Sequence, residues 1–197
     1  VVAFIEDLRK AGVVLEYLNI GGGLGIIYSK ETPQTAVQFA QKVLPILRKT
    51  GLKVILEPGR FIVGNAAALV SKVTYVKDIQ AKSFVIVDAA MNDLVRPALY
   101  DAYHTILPVV KNSKRSKKPV DIVGPVCESS DFLGKDRSLV VKEGEYISVF
   151  GAGAYGFSMS SNYNSRCRAQ EVMVDKNAVR IIRHRESYED LIDREVL

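Results

Sequence analysis

Four glycines fall within five positions, Gly21, Gly22, Gly23 and Gly25 around Leu24, directly after the apolar segment Val13 to Ile20. Without Cβ atoms, consecutive backbone N–H groups there can approach an anion closely, and phosphate is the natural guest. The flanking pattern narrows the fold. Val2, Phe4, Ile5 and Leu8 recur at helical spacing, and Val13 to Ile20 reads as an apolar strand. A second unit follows, with Val37, Ala40, Val43, Leu44 and Leu47 on one face of a helix from Thr35 to Lys49. Gly51 stops that helix, and Leu52 to Leu56 reads as a short buried strand. Two consecutive helix–strand units imply a parallel sheet or barrel. A dinucleotide fold is excluded. It needs glycine three places after Gly23, where Ile26 stands, and Pro33 makes the next helix start too late to open from the loop.

The second strand ends in Glu57-Pro58-Gly59-Arg60, which sets a carboxylate, a rigid turn and a guanidinium beside the glycine loop on one sheet edge. A plain connecting turn and a structural Glu57–Arg60 salt bridge are the ordinary alternatives. In a β/α barrel, however, phosphate sites are frequently built by the loops after strands seven and eight. A closed barrel takes about 250 residues, so two units cannot complete one, and a longer chain is expected.

Beyond about residue 64 the texture changes to short β-branched runs: Leu69 to Val76, Phe84 to Val87, Val120 to Val123, Ser138 to Val141, Tyr146 to Phe150, Ala169 to Val174 and Ala178 to Ile182. They predict a mostly antiparallel β domain, barrel or sandwich, interrupted by a helical turn or two within Leu94 to Ile106. The expected division is 1–64 for the end of a β/α barrel and 65–197 for the β domain.

A net charge of +5, from 27 basic and 22 acidic residues spread along the chain, gives no stripe of the kind nucleic acid requires. The run Lys111, Lys114, Arg115, Lys117 and Lys118 reads as a solvated loop. The longest apolar stretch, Phe61 to Val70, is broken by Gly64 and Asn65 and falls short of the roughly 20 residues of a membrane helix. Two cysteines, Cys127 and Cys167, make no disulfide framework, so a reducing cytoplasm is expected. Neither His104 nor His184 has a second His or Cys at ligand spacing, which leaves a metal site without support.

Four segments, Ile20 to Gly25, Glu57 to Arg60, Gly124-Pro-Val-Cys-Glu-Ser129 and Gly153-Ala-Tyr-Gly156 with Ser161 to Arg166, together resemble the pyridoxal-phosphate (PLP) decarboxylases that pair an alanine-racemase-like barrel with a β domain. A fifth, Met91 to His104, resembles the diaminopimelate-decarboxylase branch in particular. The resemblance spans nearly the whole chain in order. It implies decarboxylation of meso-2,6-diaminopimelate to L-lysine, the last step of lysine biosynthesis, by a PLP-dependent homodimer with shared active sites.

The resemblance also assigns roles. Glu57 looks like the carboxylate that faces the cofactor's pyridine nitrogen and keeps it protonated. Gly22, Gly23, Pro58, Gly59 and the amide of Arg60 resemble the phosphate cradle around a charge of about −2, completed by the Tyr155 hydroxyl. Arg60, Arg96 and Tyr100 look like the clamp on the distal substrate carboxylate, where a planar guanidinium suits bidentate contact. Tyr155 also faces the substrate, and Glu128 would face its distal ammonium. Cys127 resembles the general acid that protonates the carbanion, contributed with Glu128 across the dimer interface. Outside its flanking residues a lone thiol would read as a buried, inert cysteine, which is the reading given to Cys167.

The Schiff-base lysine of such enzymes ends an early barrel strand, and no lysine here ends a strand before Gly21. The chain is therefore expected to be the carboxy-terminal portion of a longer enzyme and inactive alone. Two alternatives remain at this point. An ornithine-, arginine- or carboxynorspermidine-type decarboxylase would carry Asp after the cysteine and no Arg96-like clamp; a noncatalytic PLP- or phosphate-binding fragment would keep only the scaffold.

Overall fold

The computed structural model describes residues 1–80, 82–111 and 114–196. Its first part is built as the periodicity indicates. Helix α1 spans Val2–Lys10, β1 Tyr17–Asn19, α2 Ala36–Arg48 and β2 Lys53–Ile55. Thr35 starts α2 with a capping box, in which its hydroxyl accepts from Gln38 N while the Gln38 side chain accepts from Thr35 N. Gly51 lies at φ 66°, which favours glycine and ends the helical segment.

Strands β1 and β2 pair in parallel with Tyr17 opposite Lys53 and Asn19 opposite Ile55. Two expectations are corrected here. The strand expected from Val13 begins only at Tyr17, because Val13 N still bonds to Leu8 O behind α1. The second strand is not buried: Lys53, Val54 and Ile55 are all exposed, since β1 is its one strand partner among the described residues. Parallel strands are ordinarily covered on both faces.

A short helix α3, Gly59–Val63, and one 3-10 turn lead into a six-stranded mixed sheet. Its strands are β3 Ala68–Ile79, β4 Lys82–Val87, β5 Ile106–Pro108, β6 Lys118–Val123, β7 Phe132–Leu139 and β8 Tyr146–Phe150, in the order β5-β8-β3-β4-β6-β7. All pairs are antiparallel except β4 with β6. The edge strands β5 and β7 approach each other, and a Cβ added to Gly134 on β7 would stand 3.0 Å from Ile106 Cδ1 on β5. The sheet is thereby nearly closed. Alternation fills its interior: Val73, Val85, Val87, Ile122, Leu133, Ile147 and Val149 are at most 2% exposed.

Helix α4, Arg96–Tyr100, is the helical turn anticipated between Leu94 and Ile106, and it ends where Asp101 turns left-handed at φ 50°. Strands β9 Glu171–Asp175 and β10 Ala178–Arg183 form a separate hairpin, followed by α5, Tyr188–Ile192. The basic run is not simply solvated. Arg115 donates to both Glu145 oxygens at 2.7 and 2.9 Å, and Lys118, the first residue of β6, pairs with Asp78. Asn112 and Ser113 of that run lie outside the described residues.

Candidate functional site

The parallel register of β1 and β2 sets the glycine loop beside Glu57. Glu57 N donates to Gly21 O at 2.8 Å. Asn19, a residue the sequence reading passed over, binds both sides of this junction: its amide nitrogen donates to Glu57 Oε1 at 2.5 Å while its oxygen accepts from Gly21 N at 2.7 Å. Gly21 and Gly23 are left-handed at φ 69° and 77°. A Cβ on Gly22 would run into the Glu57 carbonyl, whereas nothing lies within 4 Å of where one would sit on Gly23 or Gly59. The loop is thus tight against the carboxylate strand and open on the other side. An open recess of about 370 Å³ adjoins it, lined by Gly23, Gly25, Thr32, Pro33 and Phe39 among others.

Pro58 caps α3, and Gly59 N donates to Glu57 O at 2.9 Å, so the half-buried Arg60 starts from the Glu57 corner. Among the described ion pairs none joins Glu57 to Arg60; Glu57 is held by Asn19 instead. The turn after β8 lies against the far end of α3. Ala152 N donates to Ala67 O and Gly153 N to Gly64 O, at 3.0 and 3.1 Å, and a side chain on Gly153 would overlap the Val63 carbonyl. This turn carries Tyr155, left-handed at φ 61° and part-exposed.

Arg96 lies beneath Tyr155. Its guanidinium carbon is 5.9 Å from the Tyr155 ring centre and 4.7 Å from that of Tyr28, and the residue is 9% exposed. Its Nη1 donates to His104 Nε2 at 3.1 Å. Burial first, with the neighbouring Arg96 and Arg137 charges adding to it, pushes the His104 pKa down; its hydrogen bond to the Phe150 carbonyl opposes them. Among the described residues no carboxylate pairs with Arg96. Tyr100, one turn further along α4, is exposed and stands apart from this cluster, so the two do not form a surface pair on the helix.

Cys127 and Glu128 occupy the loop between β6 and β7, both exposed. Buried Asp131 organises that loop: Oδ2 accepts from Val126 N and Oδ1 from Met91 N, each at 2.7 Å. Burial raises the Asp131 pKa, and those two amides act against the rise. Arg166 donates to Asn92 Oδ1 at 2.9 Å, and the Tyr163 hydroxyl stands 3.4 Å from Glu128 Oε2. The Met91, Gly124 and Ser161 segments therefore converge, and among the described residues no hydrogen bond or ion pair joins Cys127 or Glu128 to Glu57. Sequence spacing had offered no role for Asp131. Cys167 is half-buried and free.

Residues 13–153 match the family model of the pyridoxal-dependent decarboxylase C-terminal sheet domain. The chain belongs to the pyridoxal-dependent decarboxylases. It is 49% identical over 195 residues to diaminopimelate decarboxylase of Aquifex aeolicus, covering 98% of this chain and 46% of that protein. Crystal structures of diaminopimelate decarboxylase superpose on it with TM-scores of 0.92 for the Methanocaldococcus jannaschii enzyme, at 39% identity, and 0.90 for the Helicobacter pylori enzyme complexed with L-lysine, at 40% identity. The first covers 99% of this chain and 46% of that one, the second 98% and 48%. This chain spans about half the length of the curated relatives it matches.

For a pyridoxal-dependent decarboxylase, the glycine loop passes a simple test of fit. A phosphorylated ring needs backbone approach without side chains and a carboxylate held at fixed height; the open Gly23 and Gly59 beside the Asn19-held Glu57 supply both, while Gly22 lets the loop seat on the Glu57 carbonyl. No helix of the described residues is long and apolar enough to cross a membrane.

Proposed function

We propose that this chain forms the carboxy-terminal portion of a diaminopimelate decarboxylase, which converts meso-2,6-diaminopimelate to L-lysine and CO₂ as the final step of lysine biosynthesis. The observation that carries the substrate is Arg96, a buried guanidinium between tyrosine rings with a neutral imidazole and, among the described residues, no carboxylate for company. A buried cation calls for an anion, and a substrate carboxylate supplies it with bidentate geometry. An ω-amine substrate such as ornithine would leave that charge uncompensated.

In this reading residues 1–64 end a TIM-like PLP-binding barrel and 65–197 form the β domain. The exposed Val54, Ile55, Leu44 and Ile46 are covered by preceding barrel segments, which also bring the cofactor-bearing lysine. PLP, when bound, supplies the electron sink for the pair left behind as CO₂ departs. Glu57, aimed by Asn19, holds a proton on the pyridine nitrogen. Gly22, Gly23, Pro58, Gly59, Arg60 and Tyr155 enclose the phosphate. Arg60, Arg96 and Tyr100 hold the distal carboxylate, Tyr100 being exposed in the single chain and drawn in as the site fills. Cys127 Sγ gives a proton to the substrate Cα, and Glu128 meets the distal ammonium. Both act from a second subunit, in keeping with their exposure. Cys127 must remain a thiol in this role, and a reducing cytoplasm suits it.

The test is CO₂ release by the full-length protein with PLP. Stoichiometric L-lysine from meso-diaminopimelate is expected. CO₂ from ornithine at a matching rate would overturn the assignment.

A further inference from the structure

The two hydrogen-bond partners of His104 fix its protonation state. Its Nδ1 lies 2.8 Å from Phe150 O, a carbonyl that only accepts, so Nδ1 carries the hydrogen. Its Nε2 lies 3.1 Å from Arg96 Nη1, which only donates, so Nε2 presents its lone pair. The imidazole is therefore neutral and confined to one tautomer. It is also fully buried, with the Tyr28 ring edge-on at 5.1 Å. Thr105, the next residue, donates from its hydroxyl to Tyr28 O at 2.9 Å, which ties the same tyrosine to this segment.

Phe150 is the last residue of β8, immediately before the turn that carries Tyr155. One side chain thus couples the Arg96 guanidinium to the strand end from which the Tyr155 turn departs. We propose that His104 is a positioning residue for the substrate clamp: as a neutral Nδ1–H tautomer it fixes the rotation of Arg96 and the height of the Tyr155 turn, so that the remaining guanidinium N–H groups face a substrate carboxylate. The inference rests on the reading of Arg96 as that clamp. A carboxamide in place of the ring preserves the essential part, because Gln can put an acceptor near the Nε2 position, whereas Asn reaches only as far as Nδ1 and Phe offers neither.

The experiment measures binding of L-lysine, which has a carboxylate, and cadaverine, which has none, to the full-length PLP-loaded protein by calorimetry. The wild type should prefer L-lysine; if it does not, the clamp reading of Arg96 itself fails. Given that preference, His104→Asn and His104→Phe should lose about tenfold in L-lysine affinity with cadaverine unchanged, and His104→Gln should keep most of it. In an Arg96→Gln background the His104→Phe loss should disappear, because the two residues act through one interaction. Undiminished L-lysine preference in His104→Phe, or losses that add in the double variant, would overturn the proposal. The wild type gives an answer that needs no variant: nitrogen NMR of labelled histidine should find one buried ring protonated at Nδ1 only, and an Nε2–H tautomer or an imidazolium there would overturn it equally.

Discussion

Asn19 and Glu57 illustrate how much of the candidate site's geometry depends on single side chains that composition does not mark. Glu57 could be picked out because it opens a Glu-Pro-Gly-Arg corner. Asn19 could not, since an asparagine near a strand end is ordinary; only the parallel register reveals that it holds both Glu57 and Gly21. If Glu57 faces the cofactor ring as proposed, replacing Asn19 by Ala in the full-length protein should lower kcat by about tenfold with the fold intact, because the freed carboxylate loses a hydrogen bond worth about 1 kcal/mol or more and with it its orientation. Steady-state kinetics with a thermal melt checks this. The sequence likewise marks His104 only by the lack of a metal-ligand partner, and its partnership with Arg96 depends on burial that local sequence does not encode. Its pKa lies below the ordinary 6.5, chiefly through burial. The unfolded imidazole takes up a proton near pH 6.5 while the folded one stays neutral, so this contribution to stability is present above that pH and is lost as pH falls below it. Melting temperatures of the full-length protein should therefore drop on acidification more steeply for wild type than for His104→Gln.

Elements with strong local signals were legible. The spacing from Val37 to Leu47 fixed α2, and Tyr146 to Phe150 matched β8 at both ends. Strand β7 was foreseen only from Ser138, because Gly134 and the left-handed Asp136 at φ 51° interrupt its alternation and its register with β6 shifts there. Three residues ending in Pro108 were too short a run to announce β5. Loop placement was the hardest to anticipate. The Cys127 loop owes its form to Asp131, whose role requires Met91 to be nearby in space though 40 positions away in sequence. Asp131→Ala should cost about 1 to 3 kcal/mol for each amide left unpaired and should reduce turnover beyond that through a displaced Cys127. Unfolding in urea beside single-turnover rates separates the two effects. At Gly153 the Tyr155 turn meets the Val63 carbonyl so closely that Gly153→Ala should destabilise by about 1 to 3 kcal/mol and weaken PLP retention, read by cofactor absorbance after dialysis.

At the scale of the whole molecule, the nearly closed sheet has an apolar, buried interior, while the helices and strands ahead of it leave Leu44, Ile46, Val54, Ile55 and Ile62 exposed. The change in texture near residue 64 made this contrast readable, but the sequence could not reveal which faces stay uncovered, since apolar side chains look alike whatever packs on them. The 197 residues alone should consequently self-associate and bind a hydrophobic dye, and the full-length protein should run as a monodisperse dimer without binding it. Function also belongs to this scale, because in the proposed reading the Cys127 loop completes the Glu57 corner from a second subunit. In the same reading, the substrate held by Arg96 unites them. The most direct measurement is therefore the ratio of kcat/KM for meso-diaminopimelate to that for ornithine, in full-length wild type and in Arg96→Ala. A wild-type preference of about a hundredfold or more that collapses in Arg96→Ala is the predicted result; a preference that survives the loss of Arg96 would contradict the account.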